Sequence, residues 1–492
     1  MMLSSCGRVM NNFILRKLKI EHKNNILCDI KIVKDDYHGS NKPTTSIIIG
    51  NNSSGKSFIL AAIAEIFDVL DSRKATTTLK YESYNLKYSY NGDNFNINIY
   101  NKSIIVYKNN IKISIQEIQL PSKVLAVSYM LNDKFKFKNN NDSIYQYLGI
   151  RLTSNSSFTS TITNKVFDSF FTLITNKHFS ALMENISKFL DIDSKITFVI
   201  TPKSKEFFTH PKSEQQIVNK LSKKKDYRYN HQINEINLKQ IIEFLTEINR
   251  KNKYVLKNDL QIYEYTITPT DDEERLNTII KEYKIFKQLY TMGYIKSTDV
   301  ILYKNNVPYP FENASSGEKH FIYEVTNIAS KIENTSLILI DEPEISMHPN
   351  WQMKYISTLK NIFKNYASVH FIIATHSHYI VSDLEPTSSS LIAITYNPVT
   401  KERQTEILDY STYAWSAENI LYNVFGVRTT RNYYFEMDMR TLLDIVGKRK
   451  YQEFDYARIL IKKLKKYIYD KTDPLCQIID TAEELVNNDK TN

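Results

Sequence analysis

A chain of 492 residues exceeds one ordinary hydrophobic core and predicts two or three domains. Hydrophobic residues at 42% and charged residues at 24% fit a globular protein in water, and no apolar run approaches the length of a membrane span. The net charge of +10 permits contact with nucleic acid, although a solvated Lys- and Asn-rich surface explains the same bias.

Residues 201–260 carry 13 Lys and Arg against 7 Asp and Glu, so this window alone supplies +6. The three cysteines, Cys6, Cys28 and Cys476, are too far apart to suggest a disulfide framework or a zinc site. Residues 1–12 lack the continuous apolar core of a signal peptide. Together these features predict a cytoplasmic protein with no membrane attachment.

Taken in order, Phe13 to Ile20 and Cys28 to Val33 alternate apolar with polar and predict two strands joined by a turn at 21–25. Thr45 to Ile49 then forms an apolar strand that enters Gly50-Asn51-Asn52-Ser53-Ser54-Gly55-Lys56-Ser57, followed by an apolar helical run. This loop fits G-x-x-x-x-G-K-[ST], the phosphate-binding P-loop. Its chemistry needs these residue types. The glycines let backbone N–H groups point inward at an anion, and the helix start adds its positive end. Lys56 is placed for the β- and γ-phosphates, and the Ser57 hydroxyl for Mg²⁺. The chain has only 10 glycines, and two of them fall at the required positions, which disfavours a plain glycine turn.

Residues 79–108 alternate again and predict an antiparallel meander, and Val124 to Ser128 predicts a buried strand. From 152 to 296 the pattern is mainly helical, with apolar spacings of three and four over Phe170 to Leu190, Ile236 to Ile248 and Leu276 to Tyr290. No sustained heptad predicts a long coiled coil. Strand character resumes at Val300 to Tyr303 and returns at 337–340, 370–374 and 391–396, with helical patterns at about 317–332 and 351–366. Such alternation argues for an α/β fold with a mostly parallel sheet. From about 401 to 492 the chain reads as helices.

The second half holds three further motifs. Leu337 to Ile340 is an apolar strand ending in Asp341 and Glu342, the Walker B form: Asp341 is suited to hold Mg²⁺, and Glu342 to orient or deprotonate an attacking water. The strand His370 to Ala374 ends at His376, at the position of a γ-phosphate contact. Ala314-Ser315-Ser316-Gly317-Glu318 precedes a helix and forms a second small-residue loop.

In this order the four motifs resemble the ABC-type ATPase head. Ala314 to Glu318 is similar to its L-S-G-G-Q signature; Ser315 and Gly317 match, whereas Ala314, Ser316 and Glu318 depart from it. Asp341-Glu342-Pro343-Glu344 with Met347-His348-Pro349 resembles the overcoming-lysogenization-defect (OLD) class, and within it the PtuA-like ATPases of Septu-type anti-phage defence. The stretches that carry this last likeness are Ser128 with Asp133-Lys134-Phe135, Tyr145 to Gly149, Glu418 to Leu421, and Val424 to Gly426. Gln146 is the candidate for the family's Gln loop.

The resemblance implies an ABC-type P-loop head, in halves 1–151 and 297–400, with an insertion at 152–296 and a helical C-terminal region at 401–492. It implies ATP and Mg²⁺ as cofactors, and a homodimer or higher oligomer in which Ser315 and Gly317 of one head close the P-loop site of another. It also implies a separate PtuB-like HNH nuclease as partner. OLD proteins carry their own C-terminal nuclease, but the only comparable cluster here, Glu436-Met437-Asp438, lies in a helical pattern and reads as a solvated face. Residues 414–486, with Trp415, Leu421, Phe425 and the helix from Glu453 to Tyr469, are the expected docking segment for the partner. Two alternatives are a DNA-repair or chromosome-structure ATPase, disfavoured by the missing coiled coil, and a transporter ATPase, disfavoured by the insertion and the Pro343-Glu344…His348-Pro349 form.

Overall fold

The computed structural model describes the chain from Asn12 to Asn488, apart from positions 24, 38, 40–41, 52–53, 139–141, 152–157, 175, 177, 204–207, 209–212, 214, 217–237, 252–253, 258–259, 397–402, 409–411, 413–414, 427–430 and 469–472. Asn52, Ser53, Cys6 and most of the basic window at 201–260 therefore lie outside the described residues.

The first stretch gives β1 (Phe13–His22), β2 (Asn25–Lys31), β3 (Thr44–Gly50), α1 (Lys56–Asp71), β4 (Ser83–Tyr90), β5 (Asp93–Tyr100), β6 (Ser103–Lys108), β7 (Ile111–Ile113), β8 (Val124–Ser128) and β9 (Tyr145–Tyr147). Next come α2 (Phe158–Leu173), α3 (Phe179–Leu190), β10 (Ile196–Pro202), α4 (Leu238–Arg250), β11 (Val255–Lys257), β12 (Leu260–Ile267), α5 (Glu273–Thr291), β13 (Ile295–Lys304) and β14 (Val307–Pro310). The third stretch is α6 (Ser316–Lys331), β15 (Leu337–Asp341), α7 (Pro349–Gln352), α8 (Tyr355–Ile362), β16 (His370–Thr375), α9 (His378–Val381), β17 (Ser389–Tyr396) and β18 (Arg403–Ile407). Then α10 (Ala417–Asn423), α11 (Tyr433–Gly447), α12 (Phe454–Tyr467) and α13 (Pro474–Asn488) close the chain.

The central sheet has the strand order β18-β17-β3-β16-β15-β8-β9. Its pairs are parallel except β17 with β18, so it is mixed, as the α/β reading expects. Every residue of β15 and β16 is buried, which fits apolar runs covered on both faces. The second sheet, β2-β1-β4-β5-β6-β7, is wholly antiparallel. Its hairpins turn on positive-φ pairs: Asn91-Gly92, Asn101-Lys102 and Asn109-Asn110. Asparagine tolerates this conformation better than most residues, so a glycine-poor chain still forms tight hairpins. Between the two sheets, α1 buries Ile59, Ile63, Ile66 and Phe67 in one cluster with Leu15, Tyr88 and Phe95 on one side and Val124, Leu339 and Ile372 on the other. The P-loop helix is thereby fixed by packing rather than by propensity.

The insertion is not helices alone. A third, antiparallel sheet, β11-β12-β10-β13-β14, runs through it. Its Phe198 is fully buried against Phe167, Phe170 and Phe171 of α2. Strands β13 and β14, numbered with the second half of the head in the sequence reading, pair with this sheet. The apolar run Ile196–Ile200 is too short for its periodicity to distinguish a buried strand from a helix. Likewise β18 falls in the region read as helical from 401, yet it pairs with β17 and belongs to the central sheet.

Residues 421–492 form a second compact unit. In it α11, α12 and α13 bury Leu442, Ile445, Leu460, Leu464, Ile479 and Val486 in a core of their own. Among the described residues no helix is long and apolar enough to cross a membrane.

Candidate functional site

The carboxyl ends of β3, β15 and β16 bring the sequence motifs together. Strand β3 ends at Gly50, and α1 starts at Lys56 with Gly55 as its N-cap in the left-handed region, φ 102°. A side chain at Gly55 would be strained for that reason. At Gly50 the constraint is space: a Cβ there would lie 2.6 Å from the Ile394 carbonyl oxygen and 2.7 Å from Ser54 Oγ. The Ser54 N–H donates to the Asn51 carbonyl at 3.1 Å and tightens the loop.

Lys56 is 4% exposed. Its ammonium donates to the carbonyl oxygens of Gly50 at 3.0 Å and Asn51 at 3.4 Å, and to His376 Nε2 at 2.6 Å. Burial lowers its pKa, opposed by the nearby charges of Glu342, Asp341 and Glu344. His376 is held below the usual range by burial and by Lys56, so it is the neutral acceptor of this bond. Glu342 Oε1 lies 3.6 Å from the same Nε2. Thus His376 sits between the P-loop lysine and the candidate general base.

The Ser57 hydroxyl donates to Asp341 Oδ1 at 3.0 Å. Asp341 is 1% exposed and its pKa is raised to about 7, chiefly by burial. Its Oδ2 is buried with no partner among the described residues. A hydroxyl beside an unsatisfied carboxylate oxygen is a hard-oxygen donor set that fits Mg²⁺. Among the described residues no cluster of three His, Cys, Asp or Glu could hold a metal by itself. A Mg²⁺ here would therefore be held by Ser57, Asp341 and a bound phosphate, the arrangement usual for this ion. When bound, it would neutralise charge on the phosphate.

Glu342 follows β15 in the left-handed region, φ 53°, with its N–H on the Ala374 carbonyl at 2.9 Å. A bulky residue there is a local strain held by the surrounding sheet. Glu344 has no assigned role in the sequence reading, but its Oε1 accepts the His376 N–H at 2.6 Å, and burial raises its pKa. It therefore ties the backbone of the His loop to the segment after β15. Asp133, quoted only for likeness, is fully buried: it takes the Arg151 guanidinium at 2.8 and 3.0 Å and the Tyr147 hydroxyl at 2.6 Å. Its charge adds to the rise at Asp341. Gln146 is buried in β9, and its amide donates to the Ser143 carbonyl at 2.7 Å.

Ser315 and Gly317 stand apart from this group. Ser315 caps α6, accepting from Glu318 N at 3.2 Å while its own N–H donates to Glu318 Oε2 at 2.7 Å. Glu318, where the signature has Gln, thus completes a capping box. A Cβ on Gly317 would meet the Ser346 carbonyl oxygen at 2.7 Å and Trp351 at 2.9 Å. The described contacts of this loop are with its own helix and with the segment after β15, not with the P-loop.

A family profile described as the AAA ATPase domain matches residues 26–381, a span that includes the P-loop, the signature-like loop, Asp341 with Glu342, and His376. The chain belongs to that family. Among proteins similar to this AAA ATPase, the retron Vc95 probable ATPase of Vibrio cholerae serotype O1 biovar El Tor is 25% identical over 415 residues, covering 77% of this chain and 74% of that protein. The Septu protein PtuA of Bacillus thuringiensis is 30% identical over 147 residues, 27% of this chain and 36% of that protein. The SMC head domain from Thermotoga maritima covers 80% of this chain and 99% of its own at 10% identity, with a TM-score of 0.35. The PtuA-like resemblance read from the motifs is borne out by these relatives.

Proposed function

We propose that this AAA ATPase binds and hydrolyses ATP with Mg²⁺ as a subunit of an anti-phage defence complex, and that it controls a separate HNH nuclease. The observation that carries the hydrolytic part is the single cluster of Lys56, Ser57, Asp341, Glu342 and His376 at the strand ends. The P-loop backbone and Lys56 bind the phosphates. Ser57 and Asp341 hold the metal ion. Glu342 orients and deprotonates the attacking water, and His376 stands between it and Lys56, within reach of the γ-phosphate.

The active enzyme is an assembly of two heads or more. Ser315 and Gly317 lie outside the cluster, so in this reading they close the site of a second copy across a two-fold axis, each head completing the other. The defence role rests on likeness to Septu PtuA and to the retron Vc95 probable ATPase. The nuclease docks on the C-terminal unit, where Tyr434 and Ile459 are 75% and 63% exposed. Purification of the tagged full-length chain from its own host tests this assignment. A co-purifying HNH nuclease is the expected result; a chain that carries DNA and no nuclease would favour the chromosome-structure alternative.

A further inference from the structure

Strand β18 places a cation against the P-loop. Its first residue, Arg403, pairs with Tyr396 of β17, whose Ile394 pairs with Gly50 at the end of β3. Arg403 thus stands at the carboxyl end of the P-loop strand, the end at which open α/β sheets bind ligands. Its guanidinium is the nearest group to Gly55: a Cβ built there would lie 3.1 Å from Nε and 3.4 Å from Cζ. Nη1 donates to the Leu27 carbonyl of β2 at 3.3 Å, which anchors the side chain beside the loop. Nε is buried and has no partner among the described residues. A desolvated donor on a permanently charged group is costly unless an acceptor arrives. Beside a P-loop the incoming acceptor is the nucleotide.

We propose that Arg403 is a nucleotide-binding residue, supplied by the last strand of the central sheet, whose guanidinium donates to the ATP bound on the P-loop. This rests on the ATP-site reading above. In that reading Glu342 acts with His376 at the γ-phosphate, whereas the contacts of Arg403 are with Gly55 and Leu27, so Arg403 contributes to binding and not to the hydrolytic step.

The test is equilibrium titration of the full-length protein with ATP, ADP and AMP in the presence of Mg²⁺, together with steady-state hydrolysis. Arg403→Ala should weaken ATP binding by roughly 10- to 100-fold, the loss of one charge-assisted hydrogen bond, and raise KM by a similar factor with kcat little changed. Arg403→Lys keeps the charge and should recover part of the loss. An equal loss for AMP would place the contact at the nucleoside or α-phosphate; a loss confined to ATP and ADP would place it further out, and either result supports the contact. Thr405→Val is the structural control, because the Thr405 hydroxyl ties β18 to the Asp29 carbonyl without touching the P-loop. Wild-type affinity in Arg403→Ala, or an equal loss in Thr405→Val, overturns the proposal. Lys56→Ala separates the two readings: if it also binds ATP normally, the ATP site itself is wrong, whereas if it alone loses binding, only the role of Arg403 is.

Discussion

Glu342→Gln should separate nucleotide binding from hydrolysis. The side chain is partly exposed and lies 3.6 Å from His376, and its charge attracts Lys56 while repelling Asp341 and Glu344, so the amide forfeits little net attraction. The contacts of Lys56 with Gly50 and Asn51, and of Ser57 with Asp341, remain. ATP affinity and melting temperature should therefore stay close to wild type. Hydrolysis should fall by about 10²- to 10⁴-fold for a missing general base. That corresponds to roughly 3–5 kcal/mol of barrier. Lys56→Ala is the opposite case: it removes a buried donor from two loop carbonyls and from His376, and affinity should fall first. Equilibrium ATP binding and single-turnover hydrolysis, measured on both variants, make the comparison. A Glu342→Gln protein that hydrolyses within about threefold of wild type would remove this carboxylate from the chemistry, since a general base contributes at least about 10².

Three further outcomes follow from named contacts. Burial raises Glu324 to about 8, with Tyr355 donating to its Oε1, whereas an unfolded glutamate titrates near ~4.3. His320, 3.6 Å away and held down to about 4 by burial, gives an opposite slope below about 6.5, but the folded state binds the extra proton of Glu324 between its two values, so the Glu324 contribution to stability should fall as pH rises from about 4 to 8, by up to ~1.4 kcal/mol per unit. Glu324→Gln keeps an acceptor for Tyr355 and should flatten this slope in urea titrations at pH 5 and 8; an unchanged slope would count against the buried acid. Gly317→Ala should destabilise the protein by about 1–3 kcal/mol, because its Cβ meets the Ser346 carbonyl and Trp351, and an unchanged melting curve would contradict that packing. Tyr434→Glu with Ile459→Glu should leave ATPase activity intact and abolish capture of the nuclease; retained capture would move the docking surface to the insertion.

The P-loop, Walker B and His-loop residues were legible because their chemistry fixes both residue type and spacing. The seven-stranded sheet was legible where runs such as Leu337–Ile340 are apolar on both faces. Arg403 was not, because β18 reads Arg-Gln-Thr-Glu-Ile, a partly exposed edge strand without the apolar run that marks its neighbours. The insertion sheet was missed for a related reason: β10 to β12 are short and interleaved with strongly periodic helices. Glu344 was visible in the Asp341–Glu344 run, but its bond to the His376 backbone spans 32 residues and no local pattern carries it. A truncation meant to separate the head from the helical end must retain β18, and so should follow Ile420.

In the proposed assembly two heads share each hydrolytic site. The most direct measurement mixes a Lys56→Ala chain with a Ser315→Arg chain and assays ATP hydrolysis by the isolated mixed dimer. Each homodimer should be inactive. In the mixed dimer one site carries both defects and the other carries neither, so activity should return to about half the wild-type level per dimer. A confirmed mixed dimer that stays inactive would contradict the shared site.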